Sequence, residues 1–497
     1  MENNNKMDQD KMNQDKKLDY PKIGPFKSNL NVIRQDLLKR AMQWLQHKTP
    51  SHEDNPYLKG IFSPVEETHS TKLTVKGSIP PQLNGQLLRI GPNPIHVKNP
   101  ELYHWFAGDG MLHSLQISAG QARAYQCRYI ETDSVRQSRQ QPPVKGFRRG
   151  PGDVVNTNVY SYAGRIWASI EAGAFPVCLD AELNTLKHSL FDTDADLPFT
   201  AHPHRATDTG HLHAVCYDAF DQKHVYYEVF DTAGKLIHLS KIPVQHGPMV
   251  HDCAITDRDI LIFDFPVTFS VMQVFKGSSL PYIWNPKHPA RIGVLPLYGE
   301  ASQIQWIALD PCFVFHAANA YRDDKDQIIV DVVVHEKMFE QSHQGPFEQQ
   351  QAQLERWRIK PDSGTLQRFL LDAQAQEFPR IDERRTGHVY RYLYSVSFDT
   401  QNMQQPNHLL IMDLQTQQKT RYVYGAEWIS GEVIFITESD DSPEGVGYLL
   451  SYVHHLQGKA SKVVILKANG LNVSLQAEID LGVRVPIGFH TNWVDLN

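Results

Sequence analysis

From about residue 70 onward, hydrophobic positions recur mostly with period two, the spacing of strands with one covered face. Val225 to Phe230, a turn at 231–235, and Leu236 to Leu239 read as strand, turn and strand. Cys253 to Ile255 with Ile260 to Phe263, Ile328 to Val334, His408 to Leu414 with Thr420 to Tyr424, and Val463 to Lys467 with Val473 to Leu475 read the same way. Each run is rich in β-branched and aromatic residues and is bounded by Asn, Asp, Gly or Pro. Ahead of this region the period changes. Leu30, Ile33, Leu37, Leu38, Ala41, Trp44 and Leu45 recur at spacings of three and four, which predicts an amphipathic helix within a helical segment at 21–54. An apolar helical face of this kind usually docks on a core; the alternative is a membrane surface. Residues 1–20 are polar throughout and read as a disordered arm without a secretory h-region.

The chain has 497 residues, a length that by itself suggests roughly three domains. Yet strand-like units continue across 55–497 without the Pro- or Ser-rich linkers that separate domains. A single all-β array of antiparallel sheets, a β-propeller, accommodates the length better. The pattern shows no clean repeat from which to count blades. Composition is globular, and no run approaches the roughly 18 apolar residues of a membrane-spanning helix. With 49 Lys and Arg against 56 Asp and Glu and no long basic stretch, nucleic acid is an unfavourable partner. Five widely spaced cysteines, none in a C-x-x-C pair, predict free buried thiols and a reducing, cytoplasmic setting.

The chain also carries 24 histidines. His47, His52, His69, His188, His288, His343, His454 and His455 stand in polar or loop-like contexts and are expected to be exposed. Four others, His202, His251, His316 and His490, each stand beside apolar residues at a strand end. A lone histidine there is more often a satisfied core residue than a ligand. Their spread over separate sheet units, however, suits a metal on a propeller axis, and four imidazoles suit Fe(II), Cu(II) or Zn(II).

Motifs carry the reading further. They are Asn55-Pro-Tyr-Leu-Lys-Gly-Ile-Phe-Ser-Pro-Val65, the 77–85 segment, Arg89-Ile-Gly-Pro-Asn-Pro94, Trp105-Phe-Ala-Gly-Asp-Gly-Met-Leu-His113, Glu377-Phe-Pro-Arg-Ile381 and Gly488-Phe-His490. In this order they resemble the carotenoid cleavage oxygenase family, over about residue 55 to the end. The resemblance implies a seven-bladed propeller, helical and loop insertions capping the metal face, and Fe(II) on His202, His251, His316 and His490. It also implies three carboxylates that orient ligand rings, paired Glu171 with His251, Glu377 with His316 and Glu432 with His490. Thr157 matches a residue beside an open coordination position. Where the family usually has Asn, Glu and Gly, this chain has Ile90, Arg322 and Thr491; the last is expected to alter the mouth of the site.

The implied reaction is oxidative cleavage of a C=C bond by O2 into two carbonyl products. An apolar polyene as substrate calls for an apolar entrance, for which Phe269, Val271, Met272, Phe275, Leu280, Tyr282, Ile283 and Trp284 are the candidates, with peripheral membrane contact. The stilbene-cleaving branch carries a phenol-binding Lys just ahead of the first of the three glutamates, where Ile170 stands here, so carotenoids or apocarotenoids are the expected substrates. A stilbene-cleaving dioxygenase and a non-catalytic polyene-binding propeller are the alternatives.

Overall fold

Strand Leu236–Pro243 alternates buried and open positions, as expected where one face packs on a neighbouring sheet and the other meets water. Strands Leu212–Asp218, Asp259–Asp264 and Ile328–His335 are instead buried at every position, because neighbouring sheets cover both of their faces. The computed structural model describes residues 18–48, 54–150, 152, 154–341, 344–346, 352–399 and 405–495. Residues 1–17 of the expected arm, with His52 and His343, lie outside them.

The strands form a seven-bladed β-propeller. Blades I to V are four-stranded and follow the chain: 158–188, 204–243, 253–308, 313–372 and 376–423. Blade VI takes 428–480 and adds Thr74–Gly77 at its edge. Blade VII places Thr491–Asp495 innermost, beside Gly85–Pro92, then Gly110–Ser118, Gln121–Tyr129 and Thr68–Ser70. Segments from the two ends of the chain therefore close the ring at two adjacent blades. Buried hydrophobic clusters fill every junction: one spans blades II, III and IV, and others join I to II, IV to V, V to VI, VI to VII and VII to I. This inter-blade burial is the main stabilising term.

Helix α1, Pro25–Lys48, is where the hydrophobic pattern misleads. Most of its apolar row does not dock on the core; only Leu38 and Leu45 of that row's large side chains are half-buried. Phe26, Leu30, Ile33, Leu37 and Trp44 are exposed, Phe26 and Leu37 by 77% and 60%. The polar face holds the helix instead. Asn31 donates to the Arg148 carbonyl, Gln35 to those of Arg149 and Gly150, and Gln46 to that of Gly277. Backbone acceptors on the propeller rim draw in the amides, and most of the apolar row is left facing outward.

Three histidines expected to be exposed are buried: His188, His288 and His454. His288 bonds Asp264 through Nε2, and His454 bonds the Val485 carbonyl through Nδ1, so each finds a partner inside the protein for one ring nitrogen. All five cysteines are buried and free.

One buried carboxyl lacks such a partner. Glu228, fully buried, has no hydrogen bond to either oxygen among the described residues. Burial holds its carboxyl well above the usual range, and the Arg149 charge offsets only part of this. A carboxyl protonated in the folded state but ionised in the unfolded chain removes stability as pH rises above its unfolded value. Glu228→Met is therefore expected to stabilise the protein by about 1–3 kcal/mol near neutrality. Thermal melts should show a larger gain at pH 8 than at pH 5; an equal gain at both would contradict the assignment.

Candidate metal centre

Inner strands of four blades bring the histidines together. His202 precedes the first strand of blade II, His251 that of blade III and His490 that of blade VII, while His316 lies inside Phe313–Arg322 of blade IV. There the register shifts between Val314 and Ala317, a bulge that re-aims His316 relative to its strand. The His202 ring lies 4.5, 5.2 and 4.6 Å from those of His251, His316 and His490, centroid to centroid. Donor atoms of His202, His316 and His490 all fall within 4.8 Å of one another, and His202 forms a second such group with His251 and Glu171.

Three rings are oriented by carboxylates. Nδ1 of His251 lies 2.6 Å from Glu171, that of His316 2.7 Å from Glu377, and that of His490 3.1 Å from Glu432. A carboxylate at Nδ1 fixes the tautomer with Nε2 unprotonated and raises its basicity as a ligand. Local backbone geometry aims these glutamates. Ala172 and Phe378, directly after Glu171 and Glu377, have φ of +60° and +54°, a left-handed conformation that non-glycine residues adopt rarely. Glu432 sits in a register shift between Ser430 and Val433.

Each carboxylate has a second donor. Tyr217 donates to Glu171 at 2.7 Å, His335 lies 2.8 Å from Glu377, and Arg380 donates to Glu432 at 3.2 Å. The Thr491 backbone N–H also donates to Glu432. Burial pushes both Glu377 and Glu432 upward, but their partners prevail. Arg380 and His490 hold Glu432 at about 2, and His316 and His335 keep Glu377 low. Burial, reinforced by the neighbouring histidines, keeps His202 well below its usual value. Burial lowers His490 while Glu432 offsets part of this; at His316 burial is outweighed by Glu377, which raises it. The Nε2 atoms of His202 and His316 are buried without a hydrogen-bond partner among the described residues. Orphaned, converging imidazole nitrogens of this kind suit a transition metal.

The centre opens into an apolar cavity with about 150 Å³ of room for water-sized groups. Thr157, Ile170, Leu280 and Tyr282 line it, with an aromatic wall that includes Trp105, Phe106, Phe378 and Phe489. The Thr157 hydroxyl donates to Asn156 Oδ1 at 3.0 Å. The expected entrance segment divides into three. Leu280 and Tyr282 face the cavity; Val271, Met272 and Phe275 are exposed; Trp284 is buried in the core, with Phe269 and Ile283 half-buried. Thr491 is fully buried and does not line the cavity, so the expectation that it shapes the mouth fails: its N–H is turned to Glu432.

Known proteins agree with this architecture. Residues 61–495 match the family model described as retinal pigment epithelial membrane protein. The carotenoid cleavage oxygenase of Mycobacterium tuberculosis is 33% identical, the alignment covering 89% of this chain and 98% of that protein. The chain belongs to the carotenoid cleavage oxygenase family. Among solved structures, the Pseudomonas brassicacearum lignostilbene dioxygenase superposes with a TM-score of 0.78 at 25% identity, over 90% of this chain and all of that one. Cobalt-substituted Synechocystis ACO, at 24% identity and a TM-score of 0.75 over 92% and 99% of the two chains, shares the fold. The chain is accordingly a dioxygenase of this family.

Against the family pattern, Arg322 makes a two-pronged ion pair with Asp259 and stays clear of the cavity. Tyr217, His335 and Arg380 were not singled out in the sequence. Only Arg380, in the Glu377 motif, carried a local signal; the other two meet their carboxylates through tertiary folding alone.

Proposed function

We propose that this chain holds Fe(II) on His202, His251, His316 and His490 and splits a carbon–carbon double bond of a carotenoid or apocarotenoid with O2. The observation that carries this reading is the convergence of four imidazoles at the end of an apolar, aromatic-walled cavity. Iron bound there would supply the O2 chemistry: one alkene and one O2 give two carbonyl products, with no proton consumed or released.

The protein's part is binding and orientation. Aromatic walls lay an extended polyene beside the centre and exclude water. Glu171, Glu377 and Glu432 keep three rings in the ligating tautomer, and Thr157 stands at the cavity end of the centre. No side chain needs to act as acid or base. Ile170 favours a hydrocarbon over a phenol at the wall next to Glu171. The likeness to the lignostilbene dioxygenase supports stilbene cleavage as the second reading.

A membrane supplies such substrates, and the exposed apolar residues suit one. The outward row of α1 runs toward Val271, Met272 and Phe275, because Gln46 of α1 is bonded to Gly277 at 3.1 Å. Leu280 and Tyr282, just beyond, line the cavity. This face is the proposed membrane contact and substrate entrance.

The deciding experiment incubates Fe(II)-loaded protein in detergent with β-carotene, apocarotenals and resveratrol and separates the products by chromatography. Aldehyde products from a carotenoid or apocarotenal are expected, with resveratrol intact. Cleavage of resveratrol alone would replace the substrate assignment by the second reading.

A further inference from the structure

The three orienting glutamates leave His202 without a carboxylate of its own, and the segments bearing His202, His251 and His316 come from three successive blades. One buried side chain ties these segments together. Asp252, 4% exposed and next to His251, accepts from the Cys253 N–H at 2.7 Å on Oδ1. The same oxygen lies 2.8 Å from Nε2 of His204, two residues after His202. Its other oxygen accepts at 2.9 Å from the N–H of Ala317, next to His316. That N–H lies at the bulge of the His316 strand, so the irregularity that re-aims His316 also frees the donor that Asp252 takes.

The tie belongs to a wider girdle at the same level. Arg380 of blade V bonds the Thr491 carbonyl and Asn492 of blade VII, Asn492 bonds Asn158 and the Val159 carbonyl of blade I, and Asn158 bonds the Ala201 carbonyl, next to His202. Asp252 spans the arc from blade II to blade IV, where three of the four imidazoles originate.

We propose that Asp252, with His204 as its donor, is a positioning residue that sets the mutual spacing of His202, His251 and His316 and thereby the metal affinity of the centre. The inference rests on the four-histidine metal reading. A carboxylate that fixes three ligand-bearing segments from behind resembles the outer partners of other metal sites, whose loss costs roughly 10–100-fold in affinity. Asn at 252 keeps the shape but turns an amide into a place where three donors meet, so one of the three ties must break. His204 is the less disruptive partner to change, since a quarter of its side chain is exposed. Gln at 204 retains an N–H donor; Ala does not.

The test titrates Co(II) into metal-free wild type, Asp252→Asn, His204→Ala and His204→Gln by calorimetry, and follows the rise in melting temperature that Co(II) produces. Wild type should bind one Co(II) per chain. Asp252→Asn should bind roughly 10–100-fold more weakly, with its Co(II)-induced rise in melting temperature reduced. His204→Ala should weaken binding in the same direction, and His204→Gln should recover most of the loss. If Asp252→Asn does not fold, the His204 pair decides. Wild-type affinity in both Asp252→Asn and His204→Ala would overturn the positioning role and leave the metal reading intact. A wild type that binds no Co(II) would overturn the metal reading itself.

Discussion

His251→Ala is expected to lose bound iron and turnover together, whereas Glu171→Gln should bind iron more weakly but still turn over when iron is in excess. The asymmetry follows from the geometry. Removing the His251 imidazole deletes one of four donors and leaves the Glu171 carboxylate facing a void with Tyr217 as its remaining side-chain partner. Three histidines from blades II, IV and VII then remain. Glu171→Gln keeps all four imidazoles. Its amide oxygen still accepts from Nδ1 of His251, but the charge that raises ligand basicity is gone, at a cost of roughly 10–100-fold in affinity. Iron per chain by elemental analysis, with product formation at saturating Fe(II), separates the two variants. Full activity in His251→Ala would remove His251 from the centre.

The second large effect concerns the outward face. Leu37→Asp combined with Phe275→Asp should abolish flotation with liposomes. Both side chains are well exposed, at 60% and 68%, and they lie on the two elements that the contact of Gln46 with Gly277 joins. Inserting an apolar side chain of this size into the acyl boundary contributes about 1.5–3 kcal/mol when burial is complete. Loss of two such side chains, with two charges to desolvate besides, corresponds to a drop in partitioning on the order of 100-fold or more. Leu475→Asp is the matched control: Leu475 is 51% exposed but belongs to the blade VI strand Asn472–Asp480. If this control fell as far as the double variant, no face would be privileged and the membrane assignment would be lost.

The parts legible from the sequence differ in kind from those that were not. Leu236–Pro243 shows its strand character because one face meets water, whereas Ile328–His335, covered on both faces, shows only a hydrophobic run. The closing strand Thr74–Gly77 is exposed along its whole length, so no periodicity marks it, and its role follows solely from pairing with distant Asn472–Asp480. In α1 the amphipathic pattern is real but its direction was not readable, because amide contacts from Asn31, Gln35 and Gln46 decide which face turns inward. The four histidines stood out once ordered motifs joined the strand-end pattern. Tyr217, His335 and Asp252 did not, because each acts on a carboxylate or backbone group that only folding brings near.

The way the ring closes also sets when the centre can exist. His490 directly precedes Thr491–Asp495, which becomes the inner strand of blade VII only by pairing with Gly85–Pro92, and the neighbouring Phe489 N–H is bonded to the Ile90 carbonyl. His202, His251 and His316 leave the ribosome long before this partner does. A nascent chain therefore presents an incomplete chelate, and the fourth imidazole arrives in the same step that seals the propeller. On the proposed reading the four-imidazole centre is complete only once the ring has closed, and a metal bound there would act as a clasp that strengthens the seam between the first and last parts of the chain.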